Sequence, residues 1–149
     1  MFKVSVVLPE QVPDVWSHVE PWLQQVVDIT NGRATLAETL NRCLKEDGNL
    51  WVIYNENDLQ IVGAMFTKIN DYPAAKFLTV EMLAGDFFDQ WMDQANSSLI
   101  KFGQHFGCKG LELIGRRGWI RKLAELGWKE KFATCQLMFE GEDGQGFRE

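Results

Sequence analysis

Glu81 stands in the stretch FLTVEML, one carboxylate in an otherwise apolar run. A carboxylate enclosed in such a run is costly to ionise unless a cation pairs with it. In either setting a carboxylate is a candidate general base. It can equally point into a solvated cleft, or pair across strands with Arg116, and do no chemistry. Arg116 and Arg117 follow LELIG at the carboxyl end of a strand, the edge where ligands gather in open α/β sheets. Guanidinium groups there can clamp an anion, a carboxylate or a partner's acidic surface. The plainer alternative is surface charge at a helix start, where cations are mildly unfavourable. Trp119 can stack on an occupant of the same cleft or pack into the core. His18 and His105 stand alone and read as structural. Cys43, Cys108 and Cys135 are far apart and show no zinc-ligand spacing, so no metal is expected and all three read as small buried residues.

The elements that must position these residues follow from periodicity. FKVSVVL, residues 2–8, alternates and is rich in Val, which predicts a strand. From Pro13 to Ile29, Val15, Val19 and Leu23 recur at helical spacing, with Pro21 expected to kink or split the helix. Thr35 with Glu38 makes a capping box ahead of a second helix that puts Leu36, Leu40, Cys43 and Leu44 on one face. LWVIY and IVGAMFTKI read as a hairpin, and AKFLTVEML as a central strand covered on both faces. A helix is predicted from about Asp86 to Phe106, its buried stripe being Phe87, Trp91, Ala95 and Leu99. KGLELIG then reads as a strand, RGWIRKLAEL as a helix and WKEKFATCQLMF as a last strand. The fold class is therefore α/β, a mixed sheet of about six to seven strands with about four helices, in the order β-α-α-β-β-β-α-β-α-β.

The chain of 149 residues suits one domain, placed at 1–140, with a polar, Gly-rich tail at 141–149. It can bury roughly 70% of its unfolded surface and needs no staple. A net charge of −6 argues against a nucleic-acid partner, whose phosphates call for Lys and Arg. No run approaches the ~20 apolar residues of a membrane span, and the N-terminus reads as a strand and not a signal peptide. The expected location is cytoplasmic.

The element order, with the helix ending AELGWKEKF, resembles the GNAT acyl-CoA N-acyltransferase superfamily, over Phe2 to Phe139. Leu126, Gly127 and Trp128 match its common ending of a short helix, Leu-Gly-aromatic and a last strand. VWSHVEPWLQQVVDITNGRATL, LWVIYNEND, LAGDFFDQWMDQA and FGCKGLELIGRRGW more narrowly resemble a GNAT-like group encoded by tailed bacteriophages. The resemblance implies acetyl-CoA as cofactor and an amine, small-molecule or protein, as acceptor. It implies that pantetheine pairs with the backbone of Met82, Leu83 and Ala84, where two parallel strands splay apart. Gly85 would belong to the pyrophosphate turn, Arg116 would anchor the cofactor, Trp119 would line the cleft and Glu81 would be the base. The loop carrying Arg33 would border the acceptor side.

The same comparison marks two departures. The family's turn reads Arg or Gln, then Gly-x-Gly; LAGDFFDQWM keeps only Gly85 and adds Asp86 and Asp89. Two like unit charges at ~4 Å repel by about 4 kcal/mol at an effective dielectric near 20. The family's Tyr, four residues before the Gly of the ending, is Leu123, which has no proton to give a leaving thiolate. Two readings follow. One is an acetyl-CoA-dependent N-acetyltransferase; the other is a catalytically silent GNAT-like phage protein, a virion or assembly component or a host-protein binder.

Overall fold

The computed structural model describes residues 1–30 and 32–140, so the tail assigned to 141–149 lies outside the described residues. The elements are β1 (Phe2–Val7), a short 3-10 turn (Pro9–Gln11), α1 (Val12–Val27), α2 (Leu36–Leu44), β2 (Asn49–Asn55), β3 (Ile61–Asp71), β4 (Lys76–Gly85), α3 (Phe88–His105), β5 (Gly110–Leu113) and α4 (Arg117–Ala124). The strands lie in sequence order, β1-β2-β3-β4-β5; the first four are antiparallel neighbours and β5 runs parallel to β4. This is the α/β class and mixed sheet expected from the sequence.

Successive side chains of a strand face opposite sides, and β2 shows how that builds two cores. Leu50 and Val52 pack with Val12, Val19 and Leu23 of α1 and with Cys43 of α2. Trp51 and Ile53 pack on the other face with Phe88, Trp91, Ala95 and Leu99 of α3. A side chain as fully buried as Leu50 or Ile53 contributes roughly 1.5–3 kcal/mol of transfer free energy. The buried polar groups on the same strands are satisfied, as where Trp51 Nε1 donates to Thr67 Oγ1 at 2.9 Å.

Four expectations change at this level. α1 runs through Pro21 as one helix. The carbonyl that Pro21 leaves without a partner belongs to Ser17, an exposed residue where solvent can serve it, while Val19 and Leu23 hold both halves on the sheet. α3 begins at Phe88, because Asp86 N–H donates to Val62 O at 2.9 Å and Phe87 takes a left-handed φ of 61°. Of the cysteines, Cys43 is buried, Cys108 half-buried and Cys135 exposed, so the reading of three buried thiols fails at Cys135. Finally, WKEKFATCQLMF forms no strand among its described residues, and Phe132 is 91% exposed. Alternation and aromatic content mark a strand-like segment whether or not it joins a sheet, and this one is not among the five strands of the described sheet. Thr35, by contrast, caps α2 as expected, accepting from Glu38 N–H at 3.1 Å.

Gly85 closes β4 under tight constraint. A Cβ there would lie 2.9 Å from Gly63 Cα, 3.0 Å from Trp91 Cζ2 and 3.0 Å from Val62 O. Gly85→Ala should therefore cost about 1–3 kcal/mol by overpacking. For a chain of this size that lowers the melting temperature by roughly 2–4 °C per kcal/mol. Gly118→Ala, whose Cβ meets nothing within 4 Å, should leave stability unchanged or raise it, and urea titrations of the two variants check the contrast.

Candidate functional site

β4 pairs with β3 as far as Gly85, but with β5 only from Phe77 to Val80. At the point of parting the register with β3 slips: Phe66 faces Met82 and Thr67 faces Val80, leaving Glu81 as an extra residue. Such a bulge bends its strand and re-aims the side chains that follow. Here Val80 faces α3, Met82 faces α1 and Leu83 faces α3 again, so Glu81 and Met82 share the α1–α2 side. The backbone of β4 from Glu81 to Gly85 then runs on with no β5 partner.

Glu81 meets Arg42, on the last turn of α2. Nη1 donates to Oε1 at 3.2 Å and Nη2 to Oε2 at 2.9 Å, a two-pronged carboxylate–guanidinium pair. Arg42 is held from other directions as well. Its Nε donates to Asp47 O at 3.2 Å, and its guanidinium carbon sits 4.6 Å from the centre of the Phe66 ring. The hydrogen bond to Glu81 raises the Arg42 pKa against the opposing effect of burial. Asp47 takes Lys68 Nζ at 3.0 Å, and that contact holds its carboxyl below the usual range.

Beside this pair a second polar chain crosses the sheet. Asn70 Nδ2 donates to Thr79 Oγ1 at 2.7 Å, and Thr79 Oγ1 donates to Glu112 Oε2 at 2.6 Å. Tyr72 donates its phenol to the same Oε2 at 2.5 Å, which raises the Tyr72 pKa. Members of both sets, Arg42, Glu81, Asn70 and Thr79, border an open cleft of about 540 Å³, whose walls also include Glu38 and Lys68. Glu81 keeps lone pairs beyond those used by Arg42, so it can still accept a proton or a donor from the cleft.

The other residues singled out from the sequence sit elsewhere. Glu81 does not pair with Arg116; Arg42 takes that place. Arg116 is the N-cap of α4, and both it and Arg117 are exposed, with no ion pair among the described residues. Trp119 packs edge-to-face on Phe88 with ring centres 4.5 Å apart, which is the core-packing alternative. The side chains of Met82, Leu83 and Ala84 are buried, leaving only their backbone edge for a ligand. Gly85 is explained by its contact with Gly63 and Trp91, and the N–H of Asp86 is already used by Val62. Leu123 is core, 7% exposed. On the α3 side the wedge floor is apolar, with a cavity of only about 20 Å³ between residues such as Leu83, Leu113, Leu123 and Trp128. His18 and His105 are exposed, and the described residues hold no cluster of three or more His, Cys, Asp or Glu able to bind a metal.

Arg42, Tyr72 and Glu112 were not anticipated. Arg42 lies 39 positions from Glu81, and no local pattern joins them. A weaker signal was present: Lys68 and Asn70 alternate along β3, with Tyr72 continuing the alternation just past its end, and Thr79 and Glu81 along β4, as polar residues sharing one face.

No protein-family model matches the chain, and no curated protein matches it in sequence. Solved structures do. Glucosamine-6-phosphate N-acetyltransferase from Arabidopsis thaliana superposes with a TM-score of 0.66 at 18% identity, covering 93% of this chain and 99% of that one. A predicted acetyltransferase from Clostridium acetobutylicum, solved with acetyl-CoA, gives 0.67 at 10% identity, covering 93% and 97%. An aminoglycoside acetyltransferase from a soil metagenomic sample, in complex with sisomicin, gives 0.61 at 14% identity, covering 92% and 95%. The chain therefore has the GNAT fold. Among the described residues no helix is long and apolar enough to cross a membrane.

Two measurements check the site. In a double-mutant cycle, Arg42→Ala and Glu81→Ala should couple by about 0.5–3 kcal/mol in urea unfolding. The Tyr72 phenol, raised above its unfolded value of 10.0, contributes stability that is complete below that pH and is lost as pH rises through the folded value. The stability gap between wild type and Tyr72→Phe should therefore narrow at alkaline pH, as followed by denaturant melts across that range.

Proposed function

We propose that the chain is an N-acetyltransferase of the GNAT fold that acetylates an amine held in the polar cleft. The observation that carries this reading is the position of Glu81. It sits on the bulge where β4 parts from β5, at once beside the open backbone edge and on the wall of the cleft.

The fit to acetyl-CoA divides along the cofactor. The backbone of Met82, Leu83 and Ala84, beyond the end of β5, suits the amide-bearing pantetheine arm, which hydrogen-bonds as a strand would. The turn after it does not suit the pyrophosphate: Gly85 is committed to packing, Asp86 N–H to Val62, and Asp86 and Asp89 add negative charge. When bound, the cofactor supplies an activated thioester carbonyl. The chain's part is to receive and prepare the amine. Glu81 accepts the ammonium proton, and Arg42 fixes the carboxylate's orientation. Lys68, Asn70 and Thr79 offer polar contacts to the rest of the acceptor. Leu123 cannot protonate a thiolate, so that proton comes from solvent or from the acceptor. The neighbours named for glucosamine 6-phosphate and aminoglycosides act on amino sugars, and an amine acceptor for this chain extends that pattern.

A second reading has its own support. The committed turn and the buried Leu123 favour a catalytically silent protein, used by a phage as a virion or assembly component or to bind a host protein. Melting curves with millimolar acetyl-CoA or acetyl-pantetheine separate the two. Ligand at a hundred times its Kd adds about 2.7 kcal/mol, a shift of several degrees here. An active enzyme of this design should respond to both ligands to a similar extent, because the pyrophosphate adds little. Glu81→Gln should keep that shift while lowering acetyl transfer by about 10²–10⁴-fold. No shift with either ligand supports the silent protein.

A further inference from the structure

We propose that the acyl group reaches the fork on the phosphopantetheine arm of a small acidic carrier protein, which docks on the cations of α4. The inference rests on the acyl-transfer reading of the fork and names its donor. Two independent observations carry it. The first is that the chain offers a strand edge for the arm but no seat for a nucleotide. β4 has no β5 partner after Val80, so the backbone of Met82, Leu83 and Ala84 is open to an amide-bearing arm. Where that arm would meet a pyrophosphate, the Asp86 N–H is spent on Val62 O. The exposed side chains of Asp86, Phe87 and Asp89 stand at the same turn. Pantetheine thioesters are linked either to a nucleotide or, through one phosphodiester, to a protein serine. Two carboxylates and a committed amide disfavour the first form.

The second observation is charge. Arg116, Arg117, Arg121 and Lys122 fall within seven residues that include no acid, in a chain of net charge −6. All four are exposed, and among the described residues Lys122 alone of them has an acidic partner, Asp89 at 3.8 Å. A helix N-terminus disfavours cations, so the stability of α4 does not account for Arg116 and Arg117. Their place is set by the fork. Arg116 comes three positions after Leu113, the last β5 residue paired with β4. Trp119 and Lys122 hold α4 against Phe88 and Asp89 at the start of α3. The basic helix therefore borders the same opening as the unpaired β4 backbone. An acidic protein seated on it is steered by charge and brings its arm to the fork. In the transfer the amine nitrogen bonds the acetyl carbonyl carbon, the carbon–sulfur bond breaks and the arm leaves as a thiol. Of the two protons the ammonium nitrogen loses, one goes to the sulfur and one, through Glu81, to solvent.

The test titrates the full chain, by calorimetry at low and high salt, with an acidic acyl carrier protein bearing an acetylated phosphopantetheine arm. It should bind at least ~10-fold more tightly than acetyl-pantetheine or acetyl-CoA, and that advantage should shrink as salt screens the contact. Arg117→Glu with Arg121→Glu should remove the advantage. Acetyl-pantetheine binding and the melting temperature should stay as in wild type, because both side chains are exposed. Acetyl-CoA binding more tightly than acetyl-pantetheine, with the gain lost in the double variant, would assign the arginines to nucleotide phosphates and overturn the proposal. Carrier binding indifferent to the two substitutions, or equal binding by the carrier without its arm, would overturn it as well. Arm-dependent binding that the double variant abolishes, without acetyl transfer to an amino sugar, would support the docking and count against the enzyme reading alone.

Discussion

β4 cannot follow both of its neighbours at once. It stays on β3 to Gly85 and leaves β5 after Val80, and the extra residue that lets it do so is Glu81. The open backbone edge of β4 and the placement of Glu81 both depend on that slip. Without the bulge, strict alternation would place Met82 on the α3 face and reverse the residues beyond it. The bulge instead keeps Leu83 in the α3 core and Met82 under α1, and it leaves a carboxylate at the fork. A backbone irregularity of one residue thus produces an open edge, a polar wall and two intact cores together.

The carboxylate at the fork is stable there because α2 brings a cation to it. Arg42 is anchored by Glu81, by Asp47 and by the Phe66 ring, so little rotamer freedom remains for it to lose when a ligand arrives. The second chain, from Asn70 through Thr79 to Glu112 and Tyr72, ties β3, β4 and β5 together on the same face. Fixed polar groups of this kind cost no reorganisation at the moment of reaction, which is the property an acyl-transfer site needs. They equally suit a rigid binding surface.

Most of the fold could be read from periodicity. The α1 and α2 stripes, the β2–β3 hairpin and the unusual Glu81 were all visible because each is a local pattern. The pairing of Arg42 with Glu81 was not, since it is created by the packing of α2 against the sheet across a long separation in sequence. The packing around Gly85 was hidden for a similar reason. The resemblance assigns it to a pyrophosphate turn, and its tight contact comes from Gly63 on the neighbouring strand. The last strand was read from real alternation, and what the sequence could not show was whether an edge would receive it. Pro21 was expected to break α1, but burial of Val19 and Leu23 outweighs one missing hydrogen bond on an exposed face.

The close approach of Gly63 and Gly85 bears on ancestry and engineering alike. Replacing Phe87 by glycine would copy the Gly-x-Gly lettering of a nucleotide-binding turn after Gly85, yet the Asp86 amide would still be tied to Val62 O. Freeing it means starting β3 later than Val62 and letting the indole of Trp91, whose Nε1 donates to Asp86 O at 2.7 Å, find another acceptor. Opening this turn therefore needs coupled changes in β3, β4 and α3, because each of the three elements holds it by packing or a hydrogen bond.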